Sequence, residues 1–328
     1  MEMMNNSSSN PEHVYLPVYE KAIMSVVIIT LAFTGTIGNC LTCVIFLQNR
    51  MMRTSANLLI VNLAIADVLQ SLNMSFLVFN LLNGGWILGG GLCQFCGWSN
   101  MTFIITSLFS LALISLSRYF AVVKTNGKYS FTKRAWLAMA IAAWTTAGLH
   151  SLAPVFGWSV YEYRAGKLMC TLKFSDSLSY SVTTMSIAIG FPFSTICYTT
   201  YKIIKKVKQS NVRVANSSVM TERKRKEENR ISLMLLSVIL CFVIFYSPAS
   251  VINLVQMGYG DSYKIPFRLD AWTVILAMFN HANNPIIYCI LNSNFRRGLR
   301  AICSADRRKQ IRSNVDVTMD TRKTNVAA

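Results

Sequence analysis

Long apolar runs separated by short polar segments dominate the chain. A window of about 19 residues finds seven, at roughly Ala22 to Leu47, Asn57 to Leu82, Leu92 to Val123, Ala135 to Phe156, Leu178 to Ile204, Ile231 to Met257 and Asp270 to Leu291. Each is long enough to cross ~30 Å of hydrocarbon as a helix rising about 1.5 Å per residue. The third is the clearest, because no side chain between Cys93 and Arg118 is ionised. A charge at the bilayer centre costs at least ~2.5 kcal/mol, which places the cysteine and the arginine at opposite interfaces. Pro154, Pro192, Pro248 and Pro285 fall inside or at the ends of four runs and predict kinked helices. Beyond the seventh run, Phe295, Leu299 and Ile302 recur at helical spacing with Arg296, Arg297 and Arg300 on other faces, the pattern of a basic helix lying on a membrane surface.

The predicted fold class is therefore all-α, a seven-transmembrane helix bundle followed by a short amphipathic helix. Residues 1–21 form an N-terminal tail, 22–292 the bundle, 293–303 the surface helix and 304–328 a charged, Ser/Thr-containing tail expected to be disordered. Composition agrees with a membrane class: 53% of the 328 residues are hydrophobic and only 14% charged, against ~25% charged in soluble domains. The net charge of +18 is no sign of nucleic-acid binding, because the basic residues cluster between apolar runs. Of the 32 Lys and Arg, all but Lys21, Arg164, Lys167, Lys173, Lys264 and Arg268 fall in or beside the segments that follow spans 1, 3, 5 and 7. That bias predicts those segments and the C-terminus in the cytoplasm, with the N-terminus outside the cell.

Outside the cell a disulfide persists, and Cys93 and Cys170 are the cysteines that orientation places there; Cys96, one turn deeper, is the competitor. The other cysteines lie mostly in apolar runs. Sequons at Asn5 and Asn6 predict glycosylation of an exposed N-terminal tail, whereas those at Asn73, Asn100 and Asn216 fall in spans or a cytoplasmic loop. Cys303 is a candidate for palmitoylation or a plain interfacial thiol.

Polar residues inside the spans carry the chemistry. Asp67, in LAIADVL, is an ionisable group at mid-span and must face the bundle interior. Asn39, Ser107, Asn280, His281 and Asn284 are its candidate partners. Two readings stand open: a hydrated core that holds a sodium ion on the carboxylate and neutral oxygens, or interhelical hydrogen bonds with no ion.

These marks together resemble the rhodopsin family (class A) of G protein-coupled receptors over about residues 20 to 303. The residues that carry the resemblance are Gly38-Asn39, LAIAD ending at Asp67, Trp86, Cys93, Ser117-Arg118-Tyr119, Trp144, Cys170, Pro192, Pro248 and NPIIY at Asn284 to Tyr288. The resemblance implies a receptor that carries an extracellular small-molecule signal to a heterotrimeric G protein by outward movement of span 6, with arrestin and a receptor kinase as further partners and the plasma membrane as its location. It assigns switching and coupling to Arg118, Tyr119, Ser117, Glu228, Tyr288 and Tyr201. Ser117 stands where the family usually has Asp, Tyr246 where it commonly has Trp, and Thr200 where a span 5 tyrosine is usual.

Positions relative to these anchors give the expected ligand cavity: Asn100, Met101, Thr184, Ala188, Tyr246, Ser250, Asn253, Val274 and Met278. Aminergic members carry an Asp where Asn100 stands, so no countercharge awaits a monoamine. Opsins hold retinal on a span 7 lysine where this chain has Met278, so covalent retinal is not expected there, and a small neutral or weakly polar ligand is. A non-photosensitive opsin-like receptor with raised resting activity is the alternative. A transporter would need repeated halves, and no duplication is visible. No metal site beyond a sodium ion is expected, and dispersed histidines with no clustered nucleophile and base argue against an enzyme.

Overall fold

The computed structural model describes residues 16–48, 55–124, 131–213, 219–293, 295–302 and 304. Asn5, Asn6 and Cys303 lie outside them, as does the side chain of Glu228. The chain forms α1 (Val18–Gln48), α2 (Ser55–Asn73), α3 (Ser75–Asn83), α4 (Gly90–Val122), α5 (Lys133–Leu152), β1 (Tyr161–Arg164), β2 (Met169–Leu172), α6 (Leu178–Thr184), α7 (Phe191–Arg213), α8 (Val219–Tyr259) and α9 (Phe267–Leu291). Among the described residues, seven helical stretches are long and apolar enough to cross a membrane.

Inward stripes decide how each helix sits. In α1 the buried positions Met24, Ile28, Leu31, Gly35, Asn39, Thr42 and Phe46 recur every three or four residues, while Val26, Ile29, Phe33 and Ile37 stay exposed. That exposed face suits lipid, which takes apolar side chains as readily as a core does. α4 is the axis: 72% of its most apolar window is buried, against 17% in the sixth span. Its small buried residues, including Ser99, Ser107, Ser110 and Ser115, let neighbouring helices approach. Asn62 donates to Ser110 at 2.7 Å and accepts from Trp144 at 2.9 Å, which ties α2, α4 and α5 together. The Gly38–Asn39 pair works through close approach, since a Cβ on Gly38 would lie 2.8 Å from the Pro285 ring.

Three local features depart from a bundle of regular helices. Span 2 breaks between α2 and α3 at Met74 without a proline. Residues Met185–Gly190 form a π-helical stretch just before Pro192, which joins α6 to α7 and supplies the bend expected there. Between α5 and α6 the chain forms an antiparallel β1–β2 hairpin with Tyr163 opposite Cys170, an element absent from the all-α expectation. Its turn, Ala165–Lys167, closes through Leu168 in the left-handed region at φ 57°. The amphipathic pattern after span 7 forms helix at residues 295–302, with Phe295 buried and Leu299 and Ile302 against the core. Arg296 folds back to donate to the Ile290 carbonyl at 2.6 Å, satisfying the end of α9.

Candidate functional site

The hairpin is held by named contacts at one end of the bundle. Cys170 of β2 is bonded to Cys93 at the start of α4, while Cys96 is a buried free thiol. Tyr161 donates to the Ser151 carbonyl at 2.7 Å, its ring lying where a Cβ on Gly97 would approach to 2.5 Å. Asn80 donates to the Leu168 carbonyl at 2.9 Å. Burial holds the phenols of Tyr161 and Tyr163 above their ordinary pKa, so both stay neutral donors.

Beneath the hairpin lies a cavity whose space, counted with the open solvent at its mouth, is roughly 870 Å³. All nine residues expected to contact a ligand line it. Their amides and hydroxyls are partly spoken for: Asn100 accepts from Gln70 at 2.7 Å and donates towards the Met169 sulfur at 3.7 Å. Apolar groups from Ile104, Leu108, Phe174, Phe242 and Ala277 complete the wall.

Among the lining residues that were not anticipated, Lys167, Met169 and Thr171 come from the hairpin and Asp270 from α9. Lys167 is 5% exposed; its Nζ donates to Asn253 Oδ1 and sits 5.4 Å from the Phe174 ring centroid. Burial pushes its amine down to about 8, with the Asp270 charge pulling upward and Arg164 pushing further down. Asp270 is 5% exposed, and its Oδ1 has no hydrogen-bond partner among the described residues. The signal that could have found Lys167 is its place three residues before Cys170, since the disulfide draws that segment onto the bundle.

The Lys167 shift predicts a pH dependence. Between about pH 8 and the ordinary lysine value of 10.5, the unfolded chain keeps a proton that the folded chain has released, so stability rises with pH across that window. The thermal midpoint of purified protein should therefore climb from about pH 7.5 to 9.5, and less steeply in Lys167→Arg, whose guanidinium does not titrate there. Parallel curves for the two proteins would refute the assignment.

Below the cavity, Asp67 is fully buried and accepts three hydrogen bonds. Ser107 Oγ and His281 Nδ1 reach Oδ1 at 3.0 and 2.7 Å, and Asn284 Nδ2 reaches Oδ2 at 2.6 Å. A carboxylate only accepts, so Nδ1 of His281 carries a hydrogen. The opposite ring nitrogen, Nε2, lies 2.9 Å from the Tyr246 hydroxyl. Tyr246 also lines the cavity, so an unbroken hydrogen-bonded chain runs from cavity floor to Asp67. Asn39 takes a different place from the one expected, bonding the carbonyls of Gly35 and His281 at 2.8 and 2.9 Å rather than the carboxylate. Asn280 is buried nearby but is not among the carboxylate's donors. His281 is long enough to occupy the space between Asp67 and Tyr246 that a smaller side chain would leave open.

At the far end, Ser117 and Tyr288 are buried at 6% and 3% exposure. Ser115 and Thr199 share a hydrogen bond at 2.7 Å that joins α4 to α7, and Tyr119 packs on Tyr198 with centroids 6.1 Å apart. Tyr201 is a correction to the expected switch set. It is 60% exposed because Ile196, Thr199 and Ile203 form the inward stripe of α7 and leave Tyr198 and Tyr201 on the outer face. Thr200 turns a buried hydroxyl inward in its place, with no partner among the described residues.

Among the described residues, no three His, Cys, Asp or Glu side chains cluster as a metal site.

A family model described as "7 transmembrane receptor (rhodopsin family)" matches residues 38–288. Melanopsin-A of Danio rerio is 29% identical over 296 residues, covering 86% of this chain and 49% of that protein. The GQ-coupled rhodopsin of Mizuhopecten yessoensis is 26% identical, covering 84% and 58%. Human visual pigment-like receptor peropsin is 24% identical, covering 91% and 89%. The chain thus spans about half the length of the melanopsin it matches. Squid rhodopsin superposes with a TM-score of 0.78 at 20% identity, covering 90% of this chain and 89% of that one.

Proposed function

The chain belongs to the rhodopsin family of seven-transmembrane receptors, and from that premise we propose that a small neutral ligand in the hairpin-covered cavity controls a heterotrimeric G protein at the Arg118 end. The family is one of receptors, not of enzymes. One observation carries the reading: Tyr246 both lines the cavity and contacts His281, whose ring contacts Asp67. A ligand that moves Tyr246 changes a buried hydrogen-bond chain, and only such a difference between states shifts an equilibrium. The likeness to a rhodopsin named as GQ-coupled supports a G protein as partner. In this reading the hairpin end faces outside the plasma membrane, and arrestin and a receptor kinase compete for the opposite face.

The test is nucleotide exchange on purified G proteins by receptor in nanodiscs, screened against neutral small molecules. Exchange that responds to a ligand and disappears in Arg118→Ala supports the reading. Exchange that is the same with and without Arg118 defeats it.

The second reading, raised resting activity, rests on Ser117. With serine beside Arg118, one carboxylate that would hold the resting arrangement is missing. A single such pair is worth about 0.2 to 1 kcal/mol, or up to roughly fivefold in an equilibrium. Ser117→Asp should lower ligand-free exchange by that factor, and equal rates in the two proteins would exclude the effect.

A further inference from the structure

Two charged side chains narrow what a ligand of the cavity must carry, given that the cavity is the ligand site as proposed above. Asp270 lines it at 5% exposure, and its Oδ1 has no hydrogen-bond partner among the described residues. A buried carboxylate oxygen left unpaired keeps the full cost of losing its water, which a donor on a bound molecule would offset. The other oxygen, Oδ2, lies against the hairpin turn, where a Cβ on Gly166 would be 2.7 Å away. Oδ1 is the oxygen that still needs a donor.

Lys167 lines the same cavity, also at 5% exposure, and follows that glycine in the turn. Its ammonium has three hydrogens; Asn253 Oδ1 takes one, and the Phe174 ring flanks Nζ with its centroid 5.4 Å away. With the amine pushed down to about 8, roughly four Lys167 side chains in five are charged at pH 7.4 and can only donate. A ligand anion would face Asp270 and a ligand cation would face Lys167, each leaving the buried site with an unbalanced charge. A neutral group that donates to one and accepts from the other keeps the balance. No hydrogen bond joins Lys167 to Oδ1, so the two are separate anchors, better matched by a donor and an acceptor on different atoms than by a single hydroxyl.

We propose that Asp270 and Lys167 bind a neutral carboxamide with an apolar substituent, its N–H donating to Asp270 Oδ1 and its carbonyl accepting from Lys167 Nζ. The amide carries its donor on nitrogen and its acceptor on oxygen, so its dipole lies along the field between the two charges. Asn253 holds the ammonium in place, and the apolar substituent packs on Ile104, Leu108, Phe242 and Ala277. No bond forms or breaks.

The experiment titrates the full receptor in nanodiscs at pH 7.4 with decanamide and molecules that differ from it only in the head group. Affinity is read from the rise in thermal midpoint. Decanamide should bind at least about tenfold more tightly than N,N-dimethyldecanamide, which keeps the carbonyl but has no N–H. N-methyldecanamide, with one N–H and nearly the same bulk, should keep most of that gain. Decanoate, decylamine and decanol should each bind more weakly than decanamide. Two variants separate the contacts: Asp270→Asn should weaken decanamide severalfold and leave N,N-dimethyldecanamide unchanged, whereas Lys167→Met should weaken both. Equal affinity for the two amides in the native chain overturns the proposal, as does a charged head group or decanol bound as tightly as decanamide. A loss in Asp270→Asn that is the same for both amides also overturns it. Should a variant fail to fold, the head-group series on the native chain decides alone. Nucleotide exchange read on the same samples separates this site from the reading it rests on. A preference for the N–H without any change in exchange supports the site and counts against the receptor reading. Exchange driven by ligands with no such preference does the reverse.

Discussion

His281→Ala lowers the thermal midpoint of the purified receptor by several degrees and creates a stabilisation by sodium that the native chain lacks. Removing the ring takes one donor from a fully buried carboxylate, and a hydrogen bond to a charged group contributes about 1.5 to 3 kcal/mol. At roughly 2 to 4 °C per kcal/mol for a domain of this size, the loss is easily measured. In the native chain a cation beside Asp67 meets the nitrogen donors of His281 and Asn284 where it needs oxygen lone pairs. Without the imidazole, Asp67 and Ser107 face an open space in which a hydrated sodium ion fits the charge. At a sodium concentration of about 100 times its Kd the ion would return about 2.7 kcal/mol. Thermal midpoints in sodium and choline chloride at equal ionic strength decide the matter. A native receptor that gains as much from sodium as the variant does would show that the histidine does not take the ion's place.

Cys170→Ser is the change expected to cost most. The disulfide closes a loop between residues 77 apart, and the chain-entropy model gives such a closure about 4 to 5 kcal/mol, close to half of a typical domain's stability. The bond also helps to place the hairpin, together with the Tyr161 and Asn80 hydrogen bonds, and so holds Lys167, Met169 and Thr171 at the cavity. The variant should lose most of its monodisperse yield, and what remains should no longer bind a ligand of the native chain. Cys96→Ser is the control, since Cys96 is buried close by but unbonded, and it should cost no more than ~1 kcal/mol. Size-exclusion profiles and melting curves that match for the two variants would contradict a role for the disulfide in placing the hairpin.

How far the site could be read in advance depends on the kind of contact involved. The nine cavity positions follow from the resemblance, whose anchor residues fix where spans 3, 5, 6 and 7 are expected to meet a ligand. Asp67 stands out because a carboxylate at mid-span has no other place to go. Its partners were less accessible: Ser107 and Asn284 reach it, whereas Asn39 turns to backbone carbonyls instead. Depth alone does not fix which way a side chain faces round the helix. Tyr201 failed for the same reason, lying at a suitable depth but on the outer face of α7.

What the sequence alone determined is the set of seven spans and the depth of the polar residues along them. Inside a bilayer each helix must satisfy its own backbone, so these features depend on neighbours within a few residues. Tertiary structure decided which of the candidate partners, His281 among them, bond to Asp67, and alone showed that a lysine from a connecting hairpin shares a cavity with Asp270. Both depend on how separate segments rotate and dock, which is settled by packing between residues far apart in the chain.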